Sequence, residues 1–422
     1  MIVPSIDLQG GNTVQLVGGE ERALDGGDPR PWLERFSRVG EVAVIDLDAA
    51  LGEGSNRALI EELCGRQDLR VGGGIRDYET AVRWLDAGAK RIILGTAAEP
   101  ALLSRLPKDR LCIALDARDG EVVVEGWKTR TGRDLLARVA ELRDYADSFL
   151  VTFVEREGRL GGTDLSLARS VVEAAGDARV TIAGGVTSAD EVADLDGIGA
   201  DAQVGMAIYT GRLGLAQAFA APLVSDRPDG LWPTVVVDES GRALGLAYSD
   251  LESVEHAIEH GIGAYHSRQR GLWIKGATSG QKQELRRIDV DCDRDALRFV
   301  VRQAGSGFCH LGSAHCWGEE WGLAALERTL SARREAAPEG SYSARLFGDS
   351  GLLANKLQEE ARELAEAKSS AEIRHEAADL LYFTLAKLAA AGVPLSAVEA
   401  ELDARSRRQT RRPGNAKPDV IR

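Results

Sequence analysis

The chain has 422 residues, of which 44% are hydrophobic and 28% charged, and a formal net charge of −14. That length exceeds one ordinary core and predicts two or three domains. The acidic surplus argues against nucleic-acid binding, which draws on Lys and Arg, but leaves phosphorylated small molecules open, since backbone N–H groups, a few local cations or a metal can hold them.

From 1 to about 222, eight apolar runs ("MIVPSID", "VAVIDLD", "LRVGGGI", "RIILGTA", "LCIALDA", "SFLVTFV", "VTIAGGV" and "DAQVGMA") alternate with amphipathic stretches such as "DYETAVRWLDAGA". The alternation predicts a parallel (β/α)8 TIM barrel. "VGGGI" (71–75) with "ILGTA" (93–97) is echoed by "IAGGV" (182–186) with "VGMAI" (204–208), as in a duplicated half-barrel. Cys64 and Cys112 stand in apolar contexts and read as core residues. No run approaches the roughly 18 apolar residues of a membrane helix, and Met1 runs straight into a strand without a charged leader, so a cytosolic chain with no membrane partner is expected.

All six histidines lie at 256 or later, so acid and base chemistry in the barrel falls to other groups. Asp7 and Asp116 end strands one and five, on opposite sides of the catalytic mouth. The glycine-ended strands (Gly73, Gly74, Gly95 with Thr96; Gly184, Gly185, Gly205) read as two facing phosphate cradles for a ligand phosphorylated at each end. Together "PSIDLQGGNTVQL", "VIDLD", "VGGGIR", "LDARDG…GW" and "AGGV…VGMAIY" resemble the histidine-biosynthesis barrel that isomerises ProFAR, the phosphoribosylformimino aminoimidazole carboxamide ribotide. The resemblance implies a cofactor-free Amadori rearrangement with Asp7 and Asp116 as the acid and base pair and Thr152 as a substrate contact. Gln15, Phe153 and Glu157 depart from that family, which commonly has Arg, a polar residue and Asp at those places.

"APLVSDRPDG" (221–230) reads as a linker, and a β-rich stretch with the hairpin "LWPTVVVD", "ESGR", "ALGLAYS" follows. Ser249 with Glu252 is the predicted capping box of a helix stopped by Gly261, and further strands are expected around 264–275 and 285–301. In "DCDRD" (291–295), read as an extended strand, Asp291, Asp293 and Asp295 share one face, which suits a hard cation such as Mg²⁺, and Cys292 takes the other. Cys292, Cys309 and Cys316 offer three thiolates, which suit Zn²⁺ with a position left open for water. "YHSRQRGLWIKGATSG" (265–280), "DCDRDAL" and "CHLGSAHC" resemble phosphoribosyl-AMP cyclohydrolase. That resemblance implies zinc-assisted opening of the adenine ring and Mg²⁺ on the aspartates. It also implies a homodimer with zinc ligands from both chains, substrate contacts from Arg268, Trp273, Lys275 and Ser279, and His310 as a proton carrier. Ala277 stands where that family commonly has Glu, and His256 and His260 read as solvated surface.

A second linker, "RREAAPEGS", leads to an all-helical tail, with capping boxes at Ser369/Glu372 and Ser396/Glu399 and Gly392 and Pro394 between the two helices they open. Glu359, Glu360 and Glu363 share a helical face, and Glu376 with Asp379 lies one turn apart on the next helix, an arrangement by which paired helices hold Mg²⁺. These motifs with "SYSARLF" resemble phosphoribosyl-ATP pyrophosphohydrolase. The basic end, "RSRRQTRRPGNAK", is either a solubilising tail or a phosphate contact.

The sequence thus predicts a TIM barrel over 1–222, a small α+β zinc-binding domain over 226–330 and an all-α domain over 341–415. The three resemblances imply consecutive reactions, from phosphoribosyl-ATP through phosphoribosyl-AMP to ProFAR and its ketose isomer. The alternative is a bifunctional hydrolase whose barrel serves as a scaffold or dimerisation module.

Overall fold

In a computed structural model, residues 1–410 are described, apart from Glu20, Ser306 and Glu320. The chain forms two compact units: Met1–Cys316 together with the segment from Arg407, and Trp317–Ser406.

Eight strands of the first unit close into a parallel barrel: β1 (Ile2–Gln9), β2 (Val42–Asp46), β3 (Leu69–Gly72), β4 (Arg91–Leu94), β5 (Leu111–Arg118), β6 (Ser148–Phe153), β7 (Arg179–Ala183) and β8 (Ala200–Val204). β1 pairs with both β8 and β2, and β5 with β6, so no strand edge is left open. Val3, Ala43, Ile93, Cys112, Leu150 and Ala183, from six different strands, form one apolar cluster, the layered filling of such a barrel. Cys64 and Cys112 are buried, as core residues should be.

The two halves repeat each other. β1 turns back into a hairpin strand, Asn12–Val17, that pairs Asp7 with Val14; β5 turns back into Glu121–Val124 and pairs Asp116 with Val123. Gly73 and Gly184 lie at positive φ against the backbone at the end of the preceding barrel strand. A Cβ on Gly73 would come within 2.2 Å of the Asp46 carbonyl oxygen, and one on Gly184 within 2.6 Å of that of Phe153. Gly184→Ala is expected to destabilise the barrel by about 3 kcal/mol, checked by chemical denaturation, because it adds a collision to an unfavourable backbone conformation.

Six more strands form a second sheet: β9 (Trp232–Val237), β10 (Ala243–Ser249), β11 (Ala264–Ser267), β12 (Gly271–Ile274), β13 (Gln283–Val290) and β14 (Leu297–Gln303). They run in the order β12-β11-β10-β9-β14-β13, with only β9 and β14 parallel. Tyr265 and Phe299 pack with ring centroids 5.2 Å apart in the core beneath helix α2 (Leu251–His260). The structure departs from the sequence expectation at the start of α2 and at the aspartates. Asp250, with Ser253, caps α2, because Ser249 is still in β10 and its hydroxyl accepts from Thr234 at 2.8 Å. Residues 291–295 are not a strand: they form the turn between β13 and β14, with Arg294 at a φ of 65°.

Helix α1 (Ala189–Gly197) covers the barrel between β7 and β8 and contributes Val192 and Leu195 to the core. The second unit is helical: α3 (Gly322–Glu335), α4 (Tyr342–Gly348), α5 (Ser350–Glu366), α6 (Ser370–Ala391) and α7 (Leu395–Ser406). Ser369 and Glu372 form the expected capping box, and Gly392 stops α6 in the left-handed conformation. α7 begins at Leu395, so Ser396 lies within its first turn and is not its cap. Among the described residues no single helix is long and apolar enough to cross a membrane. Of the basic end, 411–417 lies outside the described residues; Arg407 pairs with Asp68 at 2.7 Å, and the Gln409 and Thr410 amides donate to Asp86.

Candidate active sites

The mouth of the barrel gathers carboxyl groups at the C-terminal ends of its strands. Asp7 lies deep in this mouth, and burial pushes its pKa up to about 7. Gln15, where the resembled family commonly has Arg, donates to Asp7 at 3.4 Å and to the Val14 carbonyl at 3.0 Å. Asp116 is also raised by burial, partly offset by donors from Thr152 and the Trp127 indole, which favour its charged form. Glu157 completes the group: burial and then the charges of Asp7 and Asp116 push it up to about 7. The three carboxyls cannot all ionise cheaply at neutral pH.

Glu157 and Trp127 join the mouth without a catalytic role expected from the sequence. Trp127 holds a φ of 70° and fills the space beside Gly19, where a Cβ would meet its ring at 2.5 Å. Its only sequence signal is the "GW" that follows the strand-five aspartate. Glu157 is brought in by a loop that packs on the first hairpin, where Gly18 donates to the Glu157 carbonyl at 3.3 Å. Phe153, the other strand-six departure, is fully buried and leaves the mouth to Thr152 and Glu157.

Gly184, Gly185 and Gly205 line a small cleft, together with Glu157, Gly158 and Val204. Gly185 also meets the Gly162 carbonyl, which a Cβ would approach to 2.4 Å. In the other half, Gly74 packs on Ala49, whereas Gly95 has open room and Thr96 is exposed.

In the second sheet domain the turn after β13 draws ligand oxygens of Asp291, Asp293 and Asp295 within 4.8 Å of one another. Asp291 organises it, accepting from the Asp295 and Ala296 amides at 3.1 Å each. Cys309 and Cys316 come together beside Lys275. The Leu311 amide, the Ser313 hydroxyl and Lys275 lower the Cys309 pKa, and burial raises that of Cys316. Lys275 is buried and donates to the Phe308 carbonyl at 2.5 Å. Cys309 and Cys316 hydrogen-bond to each other, whereas the Cys292 thiol lies in the aspartate turn, 3.9 Å from an Asp293 carboxylate oxygen, so the structure pairs two of the three thiols in one chain. Trp273 packs on Tyr265 with centroids 5.7 Å apart, Arg268 lies over the Tyr248 ring, and His310 and Ser279 face solvent.

In the helical unit Glu360 is the pivot. It is 4% exposed and shared by two acidic groups, one with Glu359 and Glu363 on α5 and one with Glu376 and Asp379 on α6. Lys356 bridges Glu360 at 2.6 Å and Glu359 at 3.0 Å. Burial and the neighbouring carboxylates Glu360, Glu376 and Glu359 raise the pKa of Glu363. A buried carboxylate at the meeting of two acidic motifs is the donor set a hard divalent cation takes.

Comparison with known proteins gives these sites a common context. A family model described as histidine biosynthesis protein matches residues 1–214, about half of the chain. The chain belongs to this family. Models for phosphoribosyl-AMP cyclohydrolase and phosphoribosyl-ATP pyrophosphohydrolase match residues 245–318 and 323–406, and both are generally metal-dependent families. A histidine biosynthesis trifunctional protein of Neurospora crassa is 55% identical over 207 residues, which make up 49% of this chain and 24% of that protein. A histidine biosynthesis bifunctional protein of Schizosaccharomyces pombe is 51% identical over 206 residues, 49% of each chain. An imidazole-4-carboxamide isomerase of Haloquadratum walsbyi is 38% identical over 232 residues, 51% of this chain and 94% of that protein. The chain thus spans about a quarter of the trifunctional relative and half of the bifunctional one.

Proposed function

We propose that this chain is a multifunctional enzyme of histidine biosynthesis. In this reading 341–415 hydrolyses phosphoribosyl-ATP to phosphoribosyl-AMP and pyrophosphate, 226–330 opens the adenine ring to give ProFAR, and 1–222 isomerises ProFAR by an Amadori rearrangement. One observation carries it. Three carboxylate-rich sites lie on stretches matched by families of consecutive reactions, so each product is the next substrate.

In the barrel, ring opening needs a proton delivered to the furanose oxygen, and isomerisation needs the C2 proton removed and one returned at C1. Asp7, with a pKa of about 7, can hold or release a proton at neutral pH. Asp116, steadied by Thr152 and Trp127, is its partner across the mouth, and Glu157 shares the burden of keeping one proton in the group. The glycine-lined cleft at the ends of β7 and β8 supports a phosphate subsite, with Gly73, Gly74, Gly95 and Thr96 as its counterpart.

The donor chemistry distinguishes two kinds of ion. The oxygen-only sets of Asp291, Asp293 and Asp295, and of Glu359, Glu360, Glu363, Glu376 and Asp379, fit Mg²⁺. Cys309 and Cys316 fit Zn²⁺, and their separation from Cys292 supports a homodimer in which a second copy supplies the third thiolate. Such ions supply Lewis acidity toward water and phosphate oxygens. Lys275 holds positive charge beside the thiol pair, His310 stands next to Cys309 as a proton carrier, and Arg268, Trp273 and Ser279 contact the substrate. The cytoplasm is the proposed location.

The test is an assay of the full chain from phosphoribosyl-ATP that follows each intermediate. Sequential appearance of phosphoribosyl-AMP, ProFAR and the ketose is expected. ProFAR that accumulates without ketose would leave the barrel a scaffold. Glu360→Gln is expected to slow the first step by at least ~10²-fold while added phosphoribosyl-AMP is still consumed.

A further inference from the structure

The aspartate turn contains its own competitor for a cation. Arg294 lies between Asp293 and Asp295, and its guanidinium is close enough to interact with Asp291. A free guanidinium beside three carboxylates would pair with them and oppose a divalent ion. In the structure it is turned away. Its Nε and Nη2 donate to the two carboxylate oxygens of Asp196, at 2.5 and 2.6 Å. Asp196 belongs to α1 of the barrel, where its side chain is only 10% exposed and also receives the Met1 ammonium at 2.7 Å. The turn's backbone is fixed independently: the Val224 amide donates to the Arg294 carbonyl at 2.9 Å, and Asp291 and Ala296 close the turn. Arg294 also occupies a left-handed conformation that costs an ordinary side chain about 1 kcal/mol, so the backbone itself has no preference for arginine.

We propose that Asp196 is a positioning residue for the neighbouring domain: it holds the Arg294 guanidinium away from Asp291, Asp293 and Asp295 and so keeps that turn free for a divalent cation. The inference rests on the reading of the turn as a cation site and extends it, because a barrel residue then sets the metal affinity of the second sheet domain.

The experiment is a Mn²⁺ titration, followed by electron paramagnetic resonance of the free ion, on the full chain carrying Glu360→Gln to silence the helical cluster. Adding Asp196→Asn, which keeps the side-chain volume, is expected to raise the Kd of the turn about tenfold. Adding Arg294→Ala as well is expected to return it to within about twofold of the parent, a rescue that a merely structural role for Asp196 does not give. An unchanged Kd in Asp196→Asn, or no recovery in the double variant, would overturn the proposal. Asp293→Asn is the control. If it leaves the number of bound Mn²⁺ unchanged, the turn is not a cation site and the underlying reading fails with the proposal. Arg294→Ala alone keeps Asp196 paired with the Met1 ammonium, and a Kd higher than the parent's would also contradict the competitor role.

Discussion

Asp7→Asn and Asp116→Asn are each expected to lower ProFAR isomerisation by about 10³-fold or more, the contribution of a positioned acid or base. Both should leave the two hydrolytic steps intact, so ProFAR accumulates in the assay. The same carboxyls predict a stability signature. Asp7 and Glu157, both held at about 7, lie above the range they would have in an unfolded chain. A carboxyl with a raised pKa in the folded state contributes its full stability at pH values below the unfolded pKa, and that contribution is lost as pH rises through about 7. The barrel is therefore expected to melt at a higher temperature at pH 5 than at pH 8. Asp7→Asn should flatten that dependence and raise the melting temperature at pH 8, because an amide has no charge to bury. Since the mouth keeps some access to water, the gain is on the order of 1 to 2 kcal/mol rather than the full equivalent of the shift. A pH-independent melting temperature in the parent would contradict the crowded-carboxyl picture whatever the turnover.

Cys309→Ser is expected to reduce bound zinc by at least about tenfold, measured by metal analysis of the purified full chain, and to abolish adenine-ring opening. A serine hydroxyl keeps the volume but does not ionise to a soft anion near neutral pH. Cys316→Ser should behave alike, since the two thiols sit side by side. Cys64→Ser and Cys112→Ser are the controls: both thiols are buried in the barrel core, and their loss should cost stability without altering zinc content. Zinc retained undiminished in Cys309→Ser would show that the ligands lie elsewhere.

The barrel was legible because each strand is a short apolar run and several end in glycines that the backbone requires. Gly73 and Gly184 announce in the sequence the close approaches that the structure contains. The aspartate turn was misread for a physical reason. Asp-Cys-Asp-Arg-Asp alternates with the period of a strand, but a turn is favoured once the Asp291 carboxylate captures the two amides that follow, and no periodicity reports that. The cap of α2 slipped by one residue because Ser249 and Asp250 are both good caps, and the choice fell to a cross-strand hydroxyl on Thr234. Glu157 reaches the mouth through a loop whose path depends on the first hairpin, so its part in the carboxyl group could not be read from its neighbours. In the helical unit the acidic positions were visible from helical spacing alone, and the structure added that Glu360 is the one shared by both groups.

The matched hairpins that place Asp7 opposite Val14 and Asp116 opposite Val123 have a consequence for how a ligand chooses its direction. A substrate phosphorylated at both ends meets a similar pair of hairpins when turned end for end, so the hairpins alone do not tell one orientation from the other. Discrimination falls to side chains that differ between the halves: Gln15 beside Asp7, against Thr152 and Trp127 beside Asp116. These few positions encode polarity in an otherwise reversible socket. Exchanges among them should first produce ligands bound backwards, before they produce a barrel that binds nothing.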